Sequence, residues 1–167
     1  MPIVATDIKI YLSGGAGNSD PNAALGDAIS TTELVDNSLN NLFALASASE
    51  VDAGSVKYRA VYIKNTHATL TLTNPKVYID TNTTSLTTNA KIALADETGS
   101  PIETIANEDT APVGPTFSTA DGYANGLSLG DLAPGETKAI WIEYTITAGT
   151  EAVDDSLIIG VKGETQA

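Results

Sequence analysis

Apolar and polar positions alternate most regularly near the C-terminal end of the chain. Ile140, Ile142, Tyr144 and Ile146 fall on one side of an extended segment; Ala139, Trp141, Glu143 and Thr145 fall on the other. A period of two is what a β-strand produces, because successive side chains point to opposite faces. Just upstream, Pro134-Gly135 is turn chemistry: proline presets its own φ and glycine accepts a positive one. Gly130–Ile146 is therefore read as a turn feeding a long strand, and the rest of the chain is read around it.

The same alternation recurs along the chain. Asp7–Leu12 places Ile8, Ile10 and Leu12 on one face and predicts a first strand. Ser13–Asn22 is dense in Gly, Asn, Ser, Asp and Pro, and predicts a long exposed loop. Val56–Asn65 is rich in β-branched and aromatic residues. Both of its faces mix apolar and charged groups, which predicts a central strand whose Lys and Arg side chains reach its margins. Leu70 and Leu72 alternate with threonines, Asn74-Pro75 predicts a turn, and Val77 and Ile79 mark a further strand. Thr81–Asn89 is a polar loop. Lys91–Ala95 is a short strand with Ile92 and Leu94 inward. Glu97–Asn125 is broken by Gly and Pro, with apolar islands only at Ile102–Ile105 and Phe117. Leu127 and Leu129 return to order. Ala148-Gly149-Thr150 is a turn, Leu157, Ile159 and Val161 form a last strand, and Lys162–Ala167 is a polar tail.

One segment carries a conflict. Ser30 and Glu33 match a capping box, and Leu34, Leu39, Leu42, Phe43 and Ala46 sit near helical spacing. Thr31, Thr32 and Val35 favour strand instead. A short helix or helical turn near Asn37–Leu42 is the reading adopted. Eight or nine short strands, at most one short helix and no strand–helix–strand alternation exclude a parallel α/β sheet. They predict an all-β fold: an antiparallel β-sandwich with long loops, immunoglobulin-like or jelly-roll. The 167 residues make about one domain, with Met1–Thr6 a candidate contact arm at its start.

Composition narrows the function more than the fold. Eight basic residues against 21 acidic ones give a net charge of −13. That surface repels nucleic-acid phosphates and anionic membranes. No cysteine is present, which removes disulfides, thiolate nucleophiles and Cys-ligated metals. The opening residues lack the charged start and apolar run of a signal peptide. No stretch approaches the ~18 apolar residues of a membrane span.

Candidate chemistry is sparse. His67, the only histidine, lies in a predicted turn with no Gly-x-Ser-x-Gly motif elsewhere, so it reads as a polar loop residue rather than a general base. Asn18, Asp20 and Asn22 place oxygen-bearing side chains at alternate positions and are the candidate calcium ligands, as are the residues of Asp80–Thr84 to a lesser degree. Neither stretch has the glycine and distant glutamate of an EF-hand loop. Gly14–Gly17 lacks the lysine of a phosphate-binding loop, and the carboxylates are too scattered to nominate a glycosidase pair. Asn82-Thr83-Thr84 is a formal glycosylation sequon. No cofactor is indicated. Trp141 is either an interface anchor or buried beneath a loop such as Asp109–Gly126, or in the core. Tyr11, Tyr58 and Tyr62 join it as interface candidates, and Tyr78 as an interface or sheet-surface residue.

Several stretches together carry a family resemblance. They are Tyr11–Gly15 with Asn18 and Asp20-Pro21, Asn41-Leu42-Phe43, Tyr58-Arg59, Tyr62–Thr66, Ile105–Glu108, Ala111-Pro112, Phe117, and Gly130–Gly135 with Trp141. The chain resembles a family of tailed-bacteriophage virion structural proteins over nearly its whole length. The resemblance implies a non-enzymatic building block of the virion, assembled in the bacterial host cytoplasm, with no catalytic motif to carry over. A capsid decoration (cement) protein bound to the major capsid protein is the first expectation, and a tail, connector or baseplate component the second. A homo-oligomer such as a trimer follows from particle symmetry. Met1–Thr6 and Ser13–Asn22 are the expected contact arms. The runner-up from another class is a carbohydrate-binding module, with or without the assistance of calcium; an enzyme comes third.

Overall fold

Strand β8 (Thr137–Ile146) sits where its alternation places it, inside a four-stranded antiparallel sheet. The sheet order is β1 (Ile8–Leu12), β3 (Ser55–Asn65), β8, β5 (Thr88–Leu94). A three-stranded antiparallel sheet, β7 (Leu127–Ser128), β4 (Leu72–Thr81) and β9 (Ile158–Thr165), packs against one face of it. A two-stranded ribbon, β2 (Gly26–Asp27) with β6 (Ile102–Thr104), packs with loops against the other. This computed structural model describes residues 2–149 and 155–165. The all-β sandwich expected from the sequence is what is found, with a ribbon-and-loop layer added on its far side.

The alternation in the strands explains the layering. On the face towards the three-stranded sheet, Val61, Ile63, Ile140, Ile142 and Ile92 meet Leu72, Val77, Ile79, Leu129 and Leu132 in one buried cluster. On the opposite face, Tyr58, Ala60, Tyr62, Ala93, Ala139 and Trp141 form a second cluster with Ile102 and Ile105. The register shows how the indole fits: Trp141 lies directly opposite Ala60 on one side and Ala93 on the other. A small–large–small row leaves room for the largest side chain at the middle of the sheet. Gly26 serves the same layer. A Cβ there would lie 1.8 Å from the Glu103 carbonyl oxygen, so only glycine lets the ribbon close against β6.

Three expectations are corrected. The helix near Asn37–Leu42 is absent; that segment is a run of turns, with Asn37 and Asn40 both at φ 55°. The helix is α1, Ala48–Ala53, and its capping box is Ser47/Glu50. The Ser30/Glu33 match failed because β-branched Thr31 and Thr32 follow it, whereas Ala48 follows Ser47. Asn74-Pro75 is not a turn between strands but a bulge within β4, where pairing with β9 shifts register between Thr73 and Lys76. The polar tail is in its described part a strand: β9 continues to Thr165, pairing Glu164 with Thr73 and Thr165 with Leu72. The last residues, 166–167, lie outside the described residues, as do Met1 and Thr150.

Candidate functional site

Charge is concentrated where β3 outruns β1. The last β1 pair is Leu12 with Val61, so β3 residues below it face loops instead of a strand. The Ala60 amide donates to the Ala24 carbonyl (2.9 Å) and the Tyr58 amide to the Glu108 carbonyl (2.7 Å). Those two bonds bring Asn22 and Glu108 to Arg59. The 3-10 turn Pro21–Ala23 is itself set by Asp20, whose Oδ1 accepts the Asn22 amide at 2.9 Å.

Four ionised side chains then close on each other. Lys57 Nζ lies 2.6 Å from Glu50 Oε1 and 3.1 Å from Glu108 Oε1. Glu108 Oε2 accepts from Arg59 Nη2, and Arg59 Nη1 donates to the Tyr58 carbonyl at 3.0 Å. The guanidinium lies over the Phe43 ring, 5.4 Å from its centroid. Lys57 and Arg59 are buried, at 3% and 0% exposure. Glu50 also closes the cap of α1, its Oε2 accepting the Ser47 amide at 2.6 Å.

The cluster keeps its carboxylates ionised. The bond from Lys57, with the Ser47 cap, holds Glu50 down to about 2. Burial pushes Glu108 up, but the bonds from Arg59 and Lys57 outweigh it and the net shift is downward. Burial likewise opposes the charge of Lys57, and the two glutamates overcome it, raising Lys57 above its ordinary value. Both carboxylates of the arrangement are ionised at neutral pH and serve as acceptors for Lys57 and Arg59. What it does is mechanical: it fastens α1 and the 105–110 loop to the end of β3, with Asn22 Oδ1 accepting from Arg59 at 3.3 Å. Sequence reasoning placed Lys57 and Arg59 on the central strand but missed Glu50 and Glu108. The Ser47/Glu50 pattern marks Glu50 only as a capping residue, and nothing local pairs it with Glu108; the partnership exists only once the loops close.

The predicted interface residues are mostly interior. Trp141 and Tyr62 are fully buried and Tyr58 nearly so, because the ribbon and loops cover the face that carries them. Tyr62 donates to the Asp27 carbonyl at 2.6 Å, and Tyr58 packs on Phe117 with ring centroids 5.5 Å apart. The anchor role for these three is thereby overturned in favour of burial. Phe117 lies in the loop expected to cover Trp141, while Ile102, Ile105, Leu25 and Ile29 come from segments not expected to. Tyr11 and Tyr78 stay half-exposed, Tyr11 under Lys64 Nζ at 5.8 Å.

Asn18, Asp20 and Asn22 turn their oxygens to the protein itself. Asn18 Oδ1 accepts the Asp20 amide, Asp20 Oδ1 the Asn22 amide, and Asn22 Oδ1 a cationic Arg59 nitrogen. Among the described residues no group of three or more His, Asp or Glu could hold a metal ion. Asp80–Thr84 does not converge on an ion either: the Thr84 amide and hydroxyl donate to Asp155 Oδ1, at 2.7 and 3.1 Å. His67 is a turn residue, its Nδ1 accepting the Leu70 amide at 3.0 Å.

The expected arms are also tied down. Ile3 packs on the main core, and the Val4 amide donates to Asp7 Oδ2 at 2.8 Å. Ser13–Asn22 is stitched to the next segment by Gly15 amide to Ala28 carbonyl (2.8 Å) and Thr32 hydroxyl to Asn18 carbonyl (2.8 Å). Turn-forming composition marked a loop correctly but did not reveal that the loop's polar groups satisfy one another. No family model, curated protein or solved structure matches the chain.

Proposed function

We propose that this chain is a non-enzymatic structural component of a tailed-phage virion, in first place a capsid decoration protein bound to the major capsid protein. A place in the tail, connector or baseplate is the alternative within the same reading. One observation carries the proposal beyond the sequence resemblance. Buried and half-buried charged side chains are spent on joining segments of the chain: Glu50, Lys57, Arg59 and Glu108 at the end of β3, and Asp155 on the 84–88 loop. A β-block with cross-linked loops suits a part that must hold its shape under load.

The docking mechanism that fits is surface contact plus pairing at an open sheet edge. Strand β9 pairs only with β4 among the described strands, so its second edge is available. Exposed Val35, Leu39 and Leu45, along the turn-rich segment before α1, offer apolar contact area. The test is to add the purified chain to particles that lack it and to image them by electron microscopy. Ordered density repeating with the capsid lattice supports the decoration role. Density confined to the tail moves the chain to the alternative. Failure to co-sediment with any particle, together with chelator-sensitive binding on a glycan array, would replace the reading with a carbohydrate-binding module.

A further inference from the structure

Five of the eight basic residues are already in ion pairs within the chain: Lys9, Lys57, Arg59, Lys91 and Lys138. Lys64 lies over Tyr11. The remaining two, Lys76 and Lys162, sit directly opposite each other on β4 and β9. Both are out of phase with inward Val77 and Val161, and so project from the outer face of the three-stranded sheet. Among the described residues neither has a carboxylate within ion-pair distance. Like charges placed directly across a strand pair are unfavourable, and here no carboxylate among the described residues offsets them.

The two lysines share one aromatic ring. Lys76 Nζ lies 5.4 Å and Lys162 Nζ 5.1 Å from the centroid of Tyr123, which is itself exposed. Lys76 also donates to the Ala124 carbonyl at 3.3 Å. Tyr123 stands edge-on to Tyr78, centroids 5.9 Å apart at 81°. Tyr78 in turn lies down over Gly160: a Cβ at that position would come within 2.5 Å of the Tyr78 ring. Glycine at 160 is thus what seats the aromatic pair and holds both ammonium groups beside it. The result is a preformed cationic–aromatic patch on a chain of net charge −13.

We propose that this patch docks the acidic surface of a second copy of the chain, head to tail. The complementary surface lies on the opposite side of the molecule, on the ribbon layer. Asp27 on β2 and Glu103 on β6 belong to that layer. Glu97 Oε1 accepts the Glu103 amide at 2.8 Å, Glu103 Oε2 accepts the Val113 amide at 2.8 Å, and Asp96 lies against Gly114. Among the described residues these four carboxylates have no Lys or Arg partner. The central sheet separates the two surfaces, so they cannot meet within one copy but can meet between copies. A contact between two different patches is heterologous and builds a ring or a filament. At physiological salt, repulsion from the overall charge is screened beyond about 8 Å, while pairs in contact keep their attraction. This inference stands on the charge layout and not on the virion reading.

The test is sedimentation velocity of the full chain over a concentration series at about 0.15 M salt. Wild type should self-associate. Lys76→Glu with Lys162→Glu should weaken association by more than about tenfold. Lys64→Glu with Lys138→Glu makes the same change in net charge and should not. Mixing the first double variant with Asp96→Lys/Glu97→Lys should restore hetero-association. Circular dichroism checks folding, and Lys76→Gln/Lys162→Gln substitutes if the glutamate pair fails to fold. A chain that sediments as a monomer throughout, or equal losses in the two glutamate variants, overturns the proposal.

Discussion

The two faces of the central sheet are buried by different means. Towards the three-stranded sheet the contact is strand on strand: rows of Ile, Val and Leu meet rows of the same kind. Towards the ribbon, Trp141, Tyr58 and Tyr62 rise between alanines and are roofed by Leu25, Ile29, Ile102, Ile105 and Phe117, drawn from loops and one short strand, β6. The first face is held by many interchangeable aliphatic contacts. The second depends on a few large side chains and on loops that the ionic cluster ties in place. The difference predicts where the protein is brittle.

Trp141→Ala should have the largest effect, about 3–5 kcal/mol by denaturant unfolding, because it empties the centre of the ribbon-side core. A loss below about 1 kcal/mol would mean the roof collapses freely onto the sheet. Glu108→Gln should cost roughly 3 kcal/mol, since it leaves Lys57 and Arg59 buried with one carboxylate fewer. It should also free the 105–110 loop, read as faster amide exchange at Tyr58, whose amide donates to the Glu108 carbonyl. Ile142→Val, on the sandwich side, should cost only about 1 kcal/mol. Separating Lys9 from its exposed partner Glu33 by Glu33→Gln should move the unfolding midpoint least of all and mark the floor of the series.

The pH dependence follows from the same cluster. Glu50 and Glu108 have lower pKa values folded than unfolded, so their contribution is present above the unfolded value of 4.5 and is lost as pH falls, for Glu50 through about 2. Stability should therefore decline across roughly that window, and Glu108→Gln should flatten the decline. Lys57, raised in the fold, contributes below 10.5 and loses that contribution only in strong alkali. A melting temperature independent of pH between 5 and about 2 would contradict the geometry of the cluster.

What was legible in the sequence divides along the same line. The strands that face another sheet announced themselves, because Ile140/Ile142 and Val61/Ile63 repeat every second residue and burial on both sides of that core demands it. The ribbon-side core did not. Ala60 and Ala93 look unremarkable until the register sets them beside Trp141, and register is a long-range fact. The capping box was misplaced because Ser30/Glu33 and Ser47/Glu50 carry the same four-residue pattern, and only the following residues tell them apart. Glu50 and Glu108 were invisible as a pair because 57 residues of chain lie between them. The cationic patch escaped for a similar reason: Lys76, Tyr123 and Lys162 come from three separate segments.

Trp141 is the only tryptophan, so intrinsic fluorescence reports on the covered face of the central sheet without labelling. The account requires native emission clearly blue-shifted from that of the denatured chain and strongly protected from acrylamide. Emission at the denatured wavelength, with equal quenching in the two states, would show that no roof covers that face.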